Sequence, residues 1–229
     1  MEKKRQANRR IVCKMGDSNG CIFPIWKPHG LGPSRWPMDR NLQSQKIAKR
    51  YIELRYKLMA YTYTYALKGA ITGEPIARPM YYDFPEESEA WKNELQYMWG
   101  EDILVAPIIE CNKRQVWLPK GEWVDFWTNS IYQGNKTINY SADVNSLPLF
   151  VKSGAIIPMY EYALSTKFID FNSVELHTFD PVNENSCFEL WQDDGQSYIT
   201  ESKIKKPLLE YKEGQHNGIK TKIVKGYQP

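Results

Sequence analysis

Residues 50–109, RYIELRYKLMAYTYTYALKGAITGEPIARPMYYDFPEESEAWKNELQYMWGEDILVAPII, decide how the rest of the chain is read. Ile47, Tyr51, Leu54, Leu58, Tyr61 and Tyr65 recur at alternating spacings of four and three. That spacing lays one apolar stripe along a helix, with Lys49, Arg50, Glu53 and Lys57 mostly off it. Gly69 and Gly73 stand where such a helix would fray and stop, because glycine tolerates the positive φ of a helix C-terminus. Pro75 and Pro79 exclude further helix, so EPIARPMYYDF (74–84) reads as a buried strand. Helix followed by buried strand is the repeating phrase of an α/β fold, and one such phrase does not make a domain.

Downstream, DFPEESEAWKNEL (83–95) reads as a short surface helix whose acidic start suits the helix dipole. From Gln96 the character changes to short strands divided by turns. DILVAPII (102–109), KRQVWLP (113–119), EWVDFW (122–127), TINYS (137–141), LPLFVKSGAIIPM (147–159), SVELHTF (173–179), CFELWQDDG (187–195) and QSYIT (196–200) follow one another. Turn signals at Pro119–Gly121, Asn129-Ser130, Gly134-Asn135 and Asp194-Gly195 separate them. Short strands at regular spacing indicate an antiparallel sandwich. The switch falls near residues 92–100 and a second seam near 161–171. A sandwich half begun near residue 170 needs more strands than roughly 60 residues usually supply, so it reads as incomplete. Upstream, residues 1–20 lack periodicity and read as a poorly ordered arm. Cys21–Trp26 reads as a buried strand, and a Pro/Gly-rich loop follows with His29 at the junction, where a sheet end holds a loop rigidly.

At 229 residues and 42% apolar content the chain has a core for one large domain or two small ones. Aromatics reach 14%, with eight Trp and fifteen Tyr. Dense β packing explains them, and so does sugar binding, since aromatic faces stack on pyranose C–H faces. Net charge is +3, of which residues 1–15 hold +5 and leave the other 214 at −2. A basic arm with no aromatic or glycine motif behind it is a solvated terminus rather than a nucleic-acid module. No stretch approaches the ~20 apolar residues that span a bilayer, and no apolar run behind the basic start makes a secretory signal. Cys13, Cys21, Cys111 and Cys187 lie far apart and read as reduced thiols rather than a disulfide frame or zinc site. These features fit a soluble protein of a reducing compartment, cytoplasmic by default. The pair Asp193-Asp194 before Gly195 reads as a turn, being too little for a calcium loop.

Seven segments together resemble glycoside hydrolase family 31, the retaining α-glycosidases that include α-glucosidases and α-xylosidases. They are FPIWKPHG, RYIELRYKLMAYTYTYA, TGEPIARPMYYDFP, QYMWGEDILVAPII, WLPKGEWVDFWT, LPLFVKSGAIIPM and FELWQDDGQSY, in the family's order over about residues 22 to 200. The resemblance implies a fold that is α/β and then all-β. The last elements of a (β/α)8 barrel would be followed by a β-sandwich and part of a second one. Strand seven of the barrel would end at FPIWKPHG, residues 44–68 would be its seventh helix and ARPMYY strand eight, with LVAPII opening the proximal sandwich. The implied division is an irregular basic arm (1–21), the barrel end (22–95), a proximal sandwich (96–165) and an incomplete distal sandwich (166–229).

The resemblance also places His29 where the family has a substrate-contacting histidine, in the subsite beside the scissile bond. An imidazole there hydrogen-bonds sugar hydroxyls. Two positions earlier the family usually has Arg and this chain has Lys27, which lacks the planar fork. The two aspartates of the retaining mechanism lie on earlier barrel strands of the family, upstream of anything here, so the chain supplies no catalytic residue. Asp83, Glu86, Glu87 and Glu89 sit on a surface-like segment and do not replace them. The expectation is the C-terminal part of an enzyme hydrolysing α-O-glycosyl bonds of glucosides or xylosides, inactive as this chain alone. No cofactor or metal is implied, since carboxyl groups and water suffice. The expected partner is a carbohydrate substrate, with no nucleic acid and no membrane, and self-association through exposed barrel edges is expected. The rival reading is a non-catalytic carbohydrate-binding or structural sandwich built on Trp117, Trp123, Trp127 and Trp191.

Overall fold

The computed structural model describes residues 36–108, 113–142, 146–183, 185–216 and 218–228. The Cys21–Trp26 strand, His29 and three of the four cysteines lie outside these residues; Cys187 is an exposed free thiol. Two helices lead, α1 (Leu42–Lys57) and α2 (Met59–Thr72). Asn41 caps α1 by accepting the Ser44 N–H at 2.9 Å. The apolar stripe is where the spacing put it, with Ile47, Tyr51, Leu54, Leu58, Tyr61 and Tyr65 all buried. The predicted single helix is instead broken at Leu58. The Lys57 carbonyl accepts the Tyr160 N–H at 2.8 Å, and a group inserted into the helical ladder is a recognised cause of a kink. Gly73 ends α2 at φ 83°, its N–H on the Gly69 carbonyl.

The strand expected over 74–84 shrinks to β1 (Ala77–Pro79), and Met80–Asp83 coil into a helical turn, α3. α4 (Ser88–Lys92) is the short surface helix. Strands β2 (Tyr97–Trp99), β3 (Ile103–Val105), β4 (Lys113–Leu118), β5 (Glu122–Asp125), β6 (Ile131–Gln133), β7 (Lys136–Ser141), β8 (Leu149–Lys152) and β9 (Ile156–Met159) follow. Then come β10 (Ser173–Thr178), β11 (Cys187–Glu189), β12 (Leu208–Glu210), β13 (Gly214–His216) and β14 (Ile219–Lys225). No strand forms at QSYIT (196–200); Asp194 instead binds the Gln196 and Ser197 N–H groups and holds the chain in a turn.

The six-stranded sheet runs β1-β2-β3-β8-β5-β6 and is antiparallel at every pairing. Its register explains why ILV and LFV are unbroken apolar runs. Trp99, Ile103, Val151 and Val124 face the cluster that includes α1 and α2, while Met98, Leu104, Phe150 and Trp123 face a second cluster with Val116 and Leu118 of β4. With the β4–β7 ribbon on one side and the helices on the other, alternate residues of each strand are both buried. Fully burying one such side chain contributes about 1.5–3 kcal/mol. The four-stranded sheet, β13-β14-β10-β9, contains one parallel pair, β10 with β14. Strand β9 lies before the seam foreseen near residues 161–171 and pairs with β10 beyond it.

The four tryptophans of the rival reading are core residues. Trp117, Trp123 and Trp191 are buried and Trp127 is partly buried. The indole N–H of Trp123 goes to the Pro119 carbonyl at 2.9 Å and that of Trp127 to the Leu147 carbonyl at 2.6 Å. Buried indoles with satisfied donors are packing elements.

Candidate functional site

His29, the one residue expected to touch substrate, lies outside the described residues. What the structure assembles is a polar joint where α2, β1, α3 and the β2–β3 turn meet. Arg78 of β1 is its centre, only 5% exposed. Its Nη1 donates to Asp83 Oδ1 at 3.1 Å and its Nη2 to Glu74 Oε2 at 3.3 Å, with Glu101 Oε1 at 3.8 Å. Nε donates to the Pro75 carbonyl at 3.1 Å, and the guanidinium lies over the rings of Tyr65 and Tyr82. Lys68 of α2 adds a further cation 3.9 Å from Glu101.

Tyr61 closes the joint from α2. Its hydroxyl donates to the Trp99 carbonyl at 2.9 Å and accepts the Asp102 N–H at 3.0 Å. Burial pushes the phenol well above its ordinary pKa, so the donor stays in place. Gly100 lies between these contacts at φ 60°, its N–H on the Ile76 carbonyl at 2.8 Å. The turn is thereby pinned to both the helix and the strand.

The electrostatics follow from the same packing. For Arg78, burial works against the charged form and is outweighed by Asp83, Glu101 and Glu74, so its pKa rises. Burial raises Asp83 despite Arg78 beside it, and its Oδ2 has no hydrogen-bond partner among the described residues. Asp102 is pushed up to about 6, by burial first and by Glu101, against the pull of Lys152, Lys68 and Arg78.

Because Asp102 holds its proton more tightly folded than unfolded, it contributes stability at low pH that is lost as pH rises from about 4 to about 6. Asp102→Asn removes that loss. We expect the stability difference between variant and parent to grow by about 2 kcal/mol in the variant's favour from pH 4 to pH 7. Urea melts at the two pH values measure it, and an unchanged difference would refute the assignment.

Three carboxylates around one guanidinium, with Lys68 beside Glu101, make an ion-paired strut, unlike a retaining pair, which needs two carboxyl groups about 5 Å apart with one free to attack a sugar. Glu86, Glu87 and Glu89 stay on the surface, where Glu89 pairs with Lys92 at 2.6 Å. Asp193 accepts the Tyr63 hydroxyl at 3.0 Å. Asp194 is lowered to about 2, chiefly by its hydrogen bonds to the Ser197 side chain and backbone. Among the described residues no group of His, Cys, Asp and Glu could hold a metal ion, and no helix is long and apolar enough to cross a membrane. Sequence reading missed the joint because Glu74, Arg78, Asp83 and Glu101 share no periodicity. The only signal was that ARP and GED lie inside segments carrying the resemblance.

Residues 73–157 match the glycosyl hydrolase family 31 C-terminal domain, and they contain the whole joint apart from its α2 residues. Alpha-glucosidase 2 of Bacillus thermoamyloliquefaciens is 30% identical over 216 residues, 92% of this chain and 27% of that protein. A family 31 α-xylosidase from Xanthomonas citri superposes with a TM-score of 0.81 at 25% identity, over 99% of this chain and 27% of its own. A family 31 dextranase of Flavobacterium johnsoniae, solved with isomaltotriose, gives 0.73 at 32% identity, over 86% of this chain and 26% of its own. The chain therefore spans about a quarter of the length of the relatives it matches. On its matched domain and these relatives, all glycosidases, the chain belongs to glycosyl hydrolase family 31.

Proposed function

We propose that this chain is the C-terminal part of a retaining α-glycosidase that hydrolyses α-glucosides or α-xylosides, and that it does not catalyse the reaction by itself. The observation that carries the reading is the likeness to an α-xylosidase over 99% of the chain, together with the run of motifs that resembles the family. In this reading residues 22–95 close the barrel, with β1 its last strand. Residues 96–165 form the proximal sandwich and 166–229 part of the distal one, β9 passing from one to the other. An oligosaccharide such as the isomaltotriose held by the dextranase is the substrate class. His29 hydrogen-bonds its hydroxyls beside the scissile bond, contacts that tighten as the transition state forms.

The joint at Arg78 gives the chain a mechanical role in this scheme. A barrel strand beside the one that carries His29 must be held to within a fraction of an ångström. The strut from Glu74 through Arg78 to Asp83 and Glu101 fixes β1 to the sandwich without exposing a nucleophile. Self-association belongs to the same proposal. It is supported by a groove of about 410 Å³ between α1 and Tyr162, where Pro37, Met38, Leu42 and Ile52 lie among Gln45, Lys46, Lys49 and Glu53.

Incubating the purified chain with p-nitrophenyl α-glucoside and α-xyloside tests the inactivity directly. No release above the buffer rate is expected, because the resemblance puts both carboxyl groups of the retaining pair on barrel strands upstream of these residues. Turnover by the chain alone would overturn this reading.

A further inference from the structure

The core tryptophans leave a different pair of rings for sugar. Tyr81 of α3 and Trp91 of α4 stack with centroids 4.7 Å apart and planes 15° from parallel. Trp91 is nevertheless 59% exposed and Tyr81 44%. An indole covered on one face and that exposed has its other face open to solvent. Its N–H donates to the Pro85 carbonyl at 2.9 Å, so the ring is fixed in orientation as well as backed. Tyr82, also exposed, continues the aromatic surface and lies under the Arg78 guanidinium at 5.6 Å.

We propose that the open face of Trp91, backed by Tyr81, is a stacking platform for one pyranose ring of an α-linked gluco- or xylo-oligosaccharide, outside any cleavage subsite. The proposal rests on the glycosidase reading for its sugar class. Glucose and xylose in the chair form carry equatorial hydroxyls and present axial C–H groups on both faces. An open indole face matches that surface through dispersion and its quadrupole. A large aromatic held open to water forgoes the free energy of burial, and a cover restores it. Because the ring is already immobilised by the stack and the Pro85 bond, covering it costs little rotamer entropy. The hydroxyls at the sugar's rim stay in water, which suits a shallow, weak site. The platform would keep an oligosaccharide near the enzyme between encounters.

Isomaltotriose titrated into the 229-residue chain, followed by indole NMR shifts, tests it. Saturable shifts of the Trp91 resonance with a Kd on the order of 1–10 mM are expected. Read from saturation transfer to the sugar's own protons, since these variants lack the Trp91 indole, Trp91→Ala is expected to weaken binding at least about 10-fold, and Trp91→Phe, which keeps a ring, less than about 3-fold. Tyr81→Ala, which removes the backing, should fall between them. A flat titration up to about 50 mM, or binding unchanged by Trp91→Ala, would overturn the platform. So would a parent chain whose sugar titration is flat and whose sedimenting mass falls on Trp91→Ala, since the face would then be a protein contact. Hydrolysis of the trisaccharide by the chain would instead overturn the inactivity claim, whichever residue binds it, so the two failures are distinguishable.

Discussion

Gly100→Ala is expected to destabilise the fold by about 3–5 kcal/mol, the range in which one substitution is diagnostic of a mechanism. Two costs add. Gly100 has φ 60°, where a Cβ costs about 1–2 kcal/mol. That Cβ would also stand 2.4 Å from Tyr65 Cε2 and 2.6 Å from the Tyr61 hydroxyl. Neither ring can yield cheaply. Both are buried, and the Tyr61 hydroxyl is committed to the Trp99 carbonyl and the Asp102 N–H. Overpacking of this kind costs about 1–3 kcal/mol, and loss of the hydroxyl's hydrogen bonds about 1 kcal/mol each. Gly73→Ala provides the control, since Gly73 has φ 83° and nothing within 4 Å of the added Cβ. It should lose only the conformational part. Urea denaturation of both variants decides it: equal losses would mean that the α2–turn contact is not what positions β2 and β3.

How much of this was legible depended on how far apart the interacting groups lie. The stripe from Ile47 to Tyr65 was readable because helix periodicity is local, and all six residues are buried. The break at Leu58 was not, because it depends on a Tyr160 N–H about a hundred residues downstream. Strands β3 and β8 were readable as apolar runs. That both of their faces are buried required the β4–β7 ribbon, whose docking no local pattern encodes. At 74–84 the prolines correctly ended the helix, yet a strand needs partners on its neighbour, and β2 offers only Tyr97–Trp99. QSYIT alternates like a strand, but Asp194 captures its first two N–H groups. Turn chemistry overrode pattern there.

The Arg78 joint was not legible, and the resemblance pointed instead to His29, which lies outside the described residues. The carboxylates read as a surface run divide in the structure, Asp83 turning inward to Arg78 while Glu86, Glu87 and Glu89 remain outside. The abundance of tryptophan pointed to both packing and sugar, and the rings divide by burial. Trp123 and Trp191 pack, and Trp91 stands open.

On the proposed reading, the largest functional effect is expected from joining this chain to the remainder of a relative. The segment of Bacillus alpha-glucosidase 2 aligned with this chain, 27% of that protein, can be replaced by these 229 residues to give one continuous polypeptide. If the chain provides a substrate histidine and a rigid strand end while the carboxylates come from upstream, the fusion should cleave an α-glucoside or α-xyloside that the isolated chain leaves intact. His29→Ala in the fusion should then lower kcat/KM about 10- to 100-fold, the loss of one or two hydrogen bonds to the transition state. Turnover by the fusion, with that loss in the variant, is the result this account predicts. A soluble fusion that melts cooperatively and yet releases no sugar would contradict it.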